Sequence, residues 1–199
     1  MYTVGQPDAV AAPVDYLSGD FIWKWSLPSA ALEGRFMDSR RLTNPNLTWD
    51  LMAWGFTTGE DGMGGWTFKT APALCQEAAA VMALGGSFLM YDNPQRSGHL
   101  TGWHQDIMAE VARFAFARRP WCEATGSVSE VAVLHNAPHF YHATGDALIS
   151  NWNMAHKPVN GALQALLENN LSVDVLGEDA ALDHLQKYRL LVIPEQTRI

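Results

Sequence analysis

The sequence predicts an α/β protein built from two parallel layers that meet near residue 125. Three observations carry that prediction. A helix, a strand, a loop and a second helix follow one another between residues 71 and 117, the order of half a parallel layer. Behind them, residues 131–193 alternate strand, helix, strand, helix, strand, which opens a doubly wound sheet. The chain is also 48% hydrophobic and only 17% charged over 199 residues, enough apolar surface for a packed core and too much for disorder in its bulk.

Residues 15–23 mix apolar and polar side chains and read as a strand end running into a loop. Residues 31–38, Ala-Leu-Glu-Gly-Arg-Phe-Met-Asp, read as a second short strand. A polar turn, Thr43-Asn44-Pro45-Asn46, leads into the apolar run from Trp49 to Phe56, and the glycine-rich stretch 59–65 is a surface loop by its turn chemistry. Residues 71–84 form a helix, with Pro72 in its first turn and Gly85-Gly86 after its end. Ser87 to Tyr91 is a buried strand that opens through Asp92-Asn93-Pro94 into a turn ending at Gly98. A second amphipathic helix spans 103–117, with Ile107, Val111, Phe114 and Ala115 on one face.

Pro120, Gly126 and small polar residues separate this part from Val131-Ala132-Val133-Leu134, a short all-apolar strand. A solvated loop rich in histidine (His135, His139, His142) follows, with Asp146 four residues further on. Pro138 interrupts the helical spacing that a zinc pair needs, and no Glu follows the first His in the zinc-protease pattern, so no metal is expected. The same strand end lacks the glycines of a dinucleotide fingerprint. A helix over 158–169, a strand over 171–176, a short helix over 179–187 and a strand over 189–193 complete the series. Three open strands with one side unfinished predict a fragment of a longer protein.

Thirteen Lys and Arg against 21 Asp and Glu leave a net charge of −8, which argues against a nucleic-acid partner. Arg40-Arg41 and Arg118-Arg119 are too short to form a basic patch. No apolar run approaches the roughly 18 residues that span a bilayer, and no secretory signal opens the chain, so no membrane is expected and the default location is cytoplasmic. Cys75 and Cys122 alone make neither a disulfide framework nor a zinc site. Eight tryptophans are present, six of them between residues 23 and 103. Each can bury about 150–250 Å² in a core, or stack on a flat apolar face such as that of a sugar ring.

Two segments carry a family resemblance. Thr48-Trp49-Asp50-Leu51-Met52-Ala53-Trp54-Gly55-Phe56 resembles the Trp-Glu…Ser-Trp-Gly-Tyr segment of alpha-L-fucosidase-type glycoside hydrolases. Gly85-Gly86-Ser87-Phe88-Leu89-Met90-Tyr91-Asp92-Asn93-Pro94, with Gly98, is similar to their Gly-Gly-Asn-Leu-Leu-Leu-Asn-x-Gly-Pro…Asp-Gly. Glu33-Gly34-Arg35-Phe36 matches a segment found in a related group of glycosyl-hydrolase-like proteins. These continue into a domain similar to the beta-galactosidase trimerisation domain. The resemblance covers about residues 15–195. It implies that residues 1–125 are the C-terminal part of a (β/α)8 TIM barrel, and that residues 126–199 begin a flavodoxin-like open parallel sheet.

Glycoside hydrolysis needs two carboxylates about the scissile bond, and barrels carry them at the C-terminal ends of their strands. Asp20, Glu33, Asp38, Asp50 and Asp92 are the candidates. The resemblance assigns Asp50 to the catalytic acid/base, one methylene shorter than the family's Glu, and leaves the nucleophile on a strand preceding this chain. Glu33, Arg35 and Asp92 would bind substrate, with Trp49, Trp54 and Trp66 as sugar platforms. The implied activity cleaves an O-glycosidic bond without metal or organic cofactor, and this chain alone is expected to be inactive. The alternative is a carbohydrate-binding or oligomerising module that keeps the fold without turnover, with residues 126–199 as the oligomerisation surface.

Overall fold

The computed structural model describes residues 3–21, 25–57, 67–145 and 156–196. A 3₁₀ turn and the single-turn α1 (Pro7–Val10) lead into β1 (Tyr16–Asp20), followed by α2 (Ser26–Ser39) and β2 (Thr48–Trp54). Next come β3 (Phe56–Thr57), β4 (Thr67–Phe68), α3 (Ala71–Met82), β5 (Ser87–Tyr91) and α4 (Gly102–Cys122). The rear of the chain carries β6 (Val131–Leu134), α5 (Ala137–Thr144), α6 (Lys157–Glu168), β7 (Val173–Leu176), α7 (Glu178–His184) and β8 (Leu190–Val192).

The first sheet has the order β1-β2-β5, with every pair parallel. Along β2, Trp49, Leu51 and Ala53 enter a core shared with Met37, Leu74, Ala78 and Val81 from the helices. Because successive strand residues point to opposite faces, Asp50, Met52 and Trp54 look the other way. They stand level with Ser18 and Asp20 on β1 and with Ser87, Leu89 and Tyr91 on β5. That second face carries no helix among the described residues, and Tyr16 (53%) and Leu89 (46%) stay open to solvent on it. β5, expected as a buried strand, is instead a partly exposed edge. Its fully buried look in the sequence is that of a strand covered on both faces, and here only Phe88 and Met90 face the helices.

The second sheet, β7-β6-β8, is also wholly parallel, and its first strand lies between the other two. Unlike the first, it is covered on both faces. Val131, Val133, Val173 and Val175 pack against Leu32, Phe36, Val159 and Leu163. Ala132, Leu134 and Leu176 pack against Ala181 on the opposite side.

Helix α2 serves both sheets, and it replaces the short strand expected over 31–38. Ala30 and Met37 join the first core, Leu32 and Phe36 the second. A helix buried nearly all round has no polar face and so no 3.6-residue signature, while Ala-Ala-Leu-Glu supplies good helix formers. The ends of α3 follow from its sequence. Thr70 caps it by accepting from the Ala73 N–H, and Pro72 sits in its first turn. Gly85 at φ +78° closes it, with Gly86 N–H donating to Val81 O and Gly85 N–H to Met82 O, the paired bonds of a Schellman cap. Helix α4 runs on through Pro120 to Cys122, past the expected end at 117, and of its apolar face Val111 alone is fully buried. The expected histidine-rich loop is largely helix α5, capped by the Asn136 side chain, which accepts from the His139 N–H at 2.5 Å.

Candidate active site

The strands of the first sheet end together at Asp20, Trp54 and Tyr91-Asp92. Over these ends, β3 pairs antiparallel with β4. Gly55 N–H donates to Tyr91 O at 2.8 Å and Lys69 N–H to Gly55 O at 2.6 Å. Gly55 has to be glycine, because a Cβ there would lie 2.6 Å from the Phe68 ring. That ring stacks on the His104 imidazole, centroids 4.0 Å apart and planes 16° apart, and Trp103 meets the same imidazole edge-on at 4.1 Å. Both oxygens of Asp92 lie 3.1 Å from His104 Nδ1, and Asp92 Oδ1 also accepts from the Asn93 N–H at 2.8 Å. Trp54 and Tyr91 meet ring to ring at 5.9 Å.

Beneath the loops lies a buried ion pair, Lys69 Nζ to Glu77 Oε1 at 2.7 Å. The Ser26 hydroxyl donates to the same oxygen, and the ammonium stands 5.7 Å from the centre of the Phe21 ring. The pair ties β4 to α3 and to the first turn of α2.

Asp50, expected in a strand-end loop, lies inside β2, third from its start, and is 4% exposed. Its two oxygens accept from the Ser18 hydroxyl at 2.7 Å and from the Tyr16 hydroxyl. That hydrogen bond to the carboxylate, with some burial, raises the Tyr16 pKa above its ordinary value. Three expected substrate contacts fall elsewhere. Glu33 is fully buried in α2 and accepts from the Val4 N–H at 2.9 Å. Arg35 donates from Nε to the Val173 carbonyl at 3.0 Å, which pins α2 to the second sheet, and burial lowers its pKa. Trp49 is 3% exposed on the helical face. Strand alternation explains the last case, since Trp49 and its neighbour Asp50 must face opposite sides. Asp20, Trp54 and Asp92 each stand at the end of a different strand, Asp20 level with Met52 and Asp92 turned to His104, and Trp66 lies outside the described residues, as do the loop 59–65 and Asp146.

His104, Lys69 and Glu77 went unread in the sequence. The only available signal was His104 in the first turn of a helix that follows a strand-end Asp, and that spacing does not fix a pairing.

At the far sheet, the end of β6 is filled by protein groups. Asn136 N–H donates to Gln196 Oε1 and Gln196 Nε2 to Leu134 O, each at 2.7 Å, and the Asn136 amide reaches Glu178. His135, expected in a solvated loop, is buried there, with Nε2 2.7 Å from Val4 O. Burial lowers its pKa to about 4. Among the described residues, no three His, Cys, Asp or Glu side chains are grouped to hold a metal ion, and no helix is long and apolar enough to cross a membrane.

No protein-family model matches the sequence, and no curated protein matches it significantly. Solved structures do match. Alpha-L-fucosidase isoenzyme 2 from Paenibacillus thiaminolyticus superposes with a TM-score of 0.64 at 20% identity, over 92% of this chain and 26% of that one. The likeness is one of fold. Gan42B, a GH42 beta-galactosidase from G. stearothermophilus, superposes as a catalytic mutant at TM-score 0.62 and 16% identity, over 94% of this chain and 30% of that one. A second Gan42B structure gives 0.60 and 16%, over 92% and 29%. This chain therefore has a glycosidase-like α/β fold and spans less than a third of the length of the solved relatives it matches.

Proposed function

We propose that this chain is part of a carbohydrate-active glycoside hydrolase that cleaves O-glycosidic bonds, fucosidase- or galactosidase-like in substrate. Residues 1–125 are read as the C-terminal part of a (β/α)8 barrel, and residues 126–199 as the start of a flavodoxin-like sheet. The observation that carries the reading is the first sheet: wholly parallel, helix-covered on one face only, with carboxylates Asp20 and Asp92 at its strand ends. Parallel sheets are otherwise covered on both faces, and a barrel makes the bare face its packed interior and the strand ends its reaction site. Trp54 and Tyr91, in ring contact at the ends of β2 and β5, supply aromatic surface there.

Within this reading Asp92 serves the site through His104, whose Nδ1 lies against both of its oxygens. Asp50, the acid/base by family resemblance, supports the site from below, because Tyr16 and Ser18 occupy its oxygens. The reading needs neither metal nor organic cofactor.

The test is release of p-nitrophenol from aryl α-L-fucosides and β-D-galactosides by the product of the complete reading frame. The 199 residues alone are expected to release none, since the family resemblance assigns the nucleophile to a strand that these residues do not include. No release by the complete protein from either substrate overturns the hydrolase reading. A second reading, sugar binding without turnover, is favoured by the occupied oxygens of Asp50. It predicts saturable sugar binding by the complete protein with no product.

A further inference from the structure

We infer that Asp92, His104 and Trp103 form a sugar-hydroxyl subsite at the end of β5, in which Asp92 fixes the imidazole so that His104 Nε2 accepts a ligand hydroxyl while Trp103 covers the apolar face of the same ring. The inference rests on the carbohydrate reading and names a recognition element within it.

The chemistry starts at Asp92. Its side chain is 3% exposed, and an ionised carboxylate can only accept hydrogen bonds. With both of its oxygens 3.1 Å from His104 Nδ1, Nδ1 must be the nitrogen that carries the proton. In the neutral ring the lone pair then belongs to Nε2. The ring plane is fixed as well, by Phe68 stacked on one face and Trp103 at its edge. Phe68 in turn can lie there only because residue 55 has no Cβ. The imidazole retains 17% of its side-chain surface in solvent, with Nδ1 turned to Asp92 and one face covered.

Loop closure alone does not account for this arrangement. The segment between Asp92 and α4 is closed by its own bonds: Gln95 N–H to His99 O and Gly98 N–H to Gln95 O, both 2.8 Å, and Gln95 Nε2 to Thr101 Oγ1 at 3.0 Å. Beside the oriented imidazole, Trp103 leaves 55% of its surface in water. An imidazole that accepts through Nε2, next to an exposed indole, suits a ligand with hydroxyl donors and an apolar face, which describes a pyranose ring. The site lies at the strand ends, where the proposed reaction would occur.

Two measurements on the full chain test it. Long-range ¹H–¹⁵N spectra should find His104 as the Nδ1–H tautomer, and Asp92→Asn should shift it to a mixture. Titration with methyl α-L-fucoside and methyl β-D-galactoside should show binding of at least one. His104→Phe and Trp103→Ala should each weaken that binding about tenfold, the loss expected for one hydrogen bond or one stacking face. Trp121→Ala, an exposed tryptophan on the same helix, should leave it unchanged. Trp103 is exposed enough that its variant keeps the fold. Binding that survives both variants overturns the subsite and leaves the carbohydrate reading standing. Finding His104 as the Nε2–H tautomer overturns the subsite whatever binds. Failure of both sugars to bind the full chain overturns it too, and the hydrolase reading is then judged by the aryl-glycoside assay.

Discussion

Gly86 shows how much one absent side chain can decide. A Cβ at that residue would sit 2.2 Å from the Trp49 ring, and the indole, 3% exposed in the first core, has no open side to move into. Gly86→Ala is therefore expected to cost about 1–3 kcal/mol, the usual penalty for overpacking a tight core. A lower urea midpoint with unchanged slope would confirm it, and an unchanged midpoint would contradict it. The same contact holds Trp49, expected as a sugar platform, in the first core. A tryptophan's chemistry suits both a core and a binding face, and only the direction of its Cβ separates them. Asp50 and Trp49 are adjacent on one strand, so a motif that pairs them in sequence has to split them in space. The place of Asp92 after a strand is legible from the sequence. Its partner His104 is not, because nothing local in the sequence specifies a pairing across a loop.

Helices and strands were legible in proportion to how one-sided their burial is. Helix α3 announces itself through Pro72, its caps and a stripe of small apolar residues. Strand β6 shows as a short apolar run and β7 as one broken by Asp174, and both are buried on both faces. Helix α2 failed as a pattern because it lies between two sheets, and α5 because two histidines and a proline obscure a helix that Asn136 caps. The joints between elements are less visible still, and Lys69–Glu77 is the clearest. Both members are buried, and Glu77 Oε2 has no hydrogen-bond partner among the described residues. Removing Lys69 would leave a buried carboxylate without its cation, a loss of about 3–5 kcal/mol. Replacing both members by apolar residues removes the charge along with its partner. Lys69→Met should thus lower the urea midpoint strongly, and Lys69→Met with Glu77→Leu should recover most of it. A double variant no more stable than the single one would show that the pair contributes more than charge compensation.

Across the molecule, the two sheets share α2, and the second sheet is sealed at the end of β6 by buried groups that titrate. His135 is held under Val4, and His156, 1% exposed and without a hydrogen bond to either nitrogen among the described residues, lies against Trp25 and Phe140. Burial lowers both imidazole pKa values to about 4, aided for His156 by the Lys157 charge, whereas a histidine in the unfolded chain protonates near 6.5. Between those values the unfolded state binds more protons, so stability falls as pH is lowered from about 6.5 to about 4. At 1.36 kcal/mol per pKa unit, each imidazole contributes a loss of about 3 kcal/mol over that window. Asp174 and Asp179 act lower on the pH axis. Against burial, hydrogen bonds from Ser127, Tyr188, Ser129 and Lys187 lower the Asp174 pKa, and those from Arg40 lower that of Asp179, so their contribution persists until pH drops through the carboxylate range. Urea midpoints should therefore decline already between pH 6.5 and 4.5, while the carboxylates are still ionised. His156→Leu, which removes a buried group that makes no hydrogen bond, should cut that decline by about half. Equal midpoints at pH 7 and 4.5 would mean that neither imidazole is buried in its neutral form, and with that the sealed end of the second sheet would have to be redrawn.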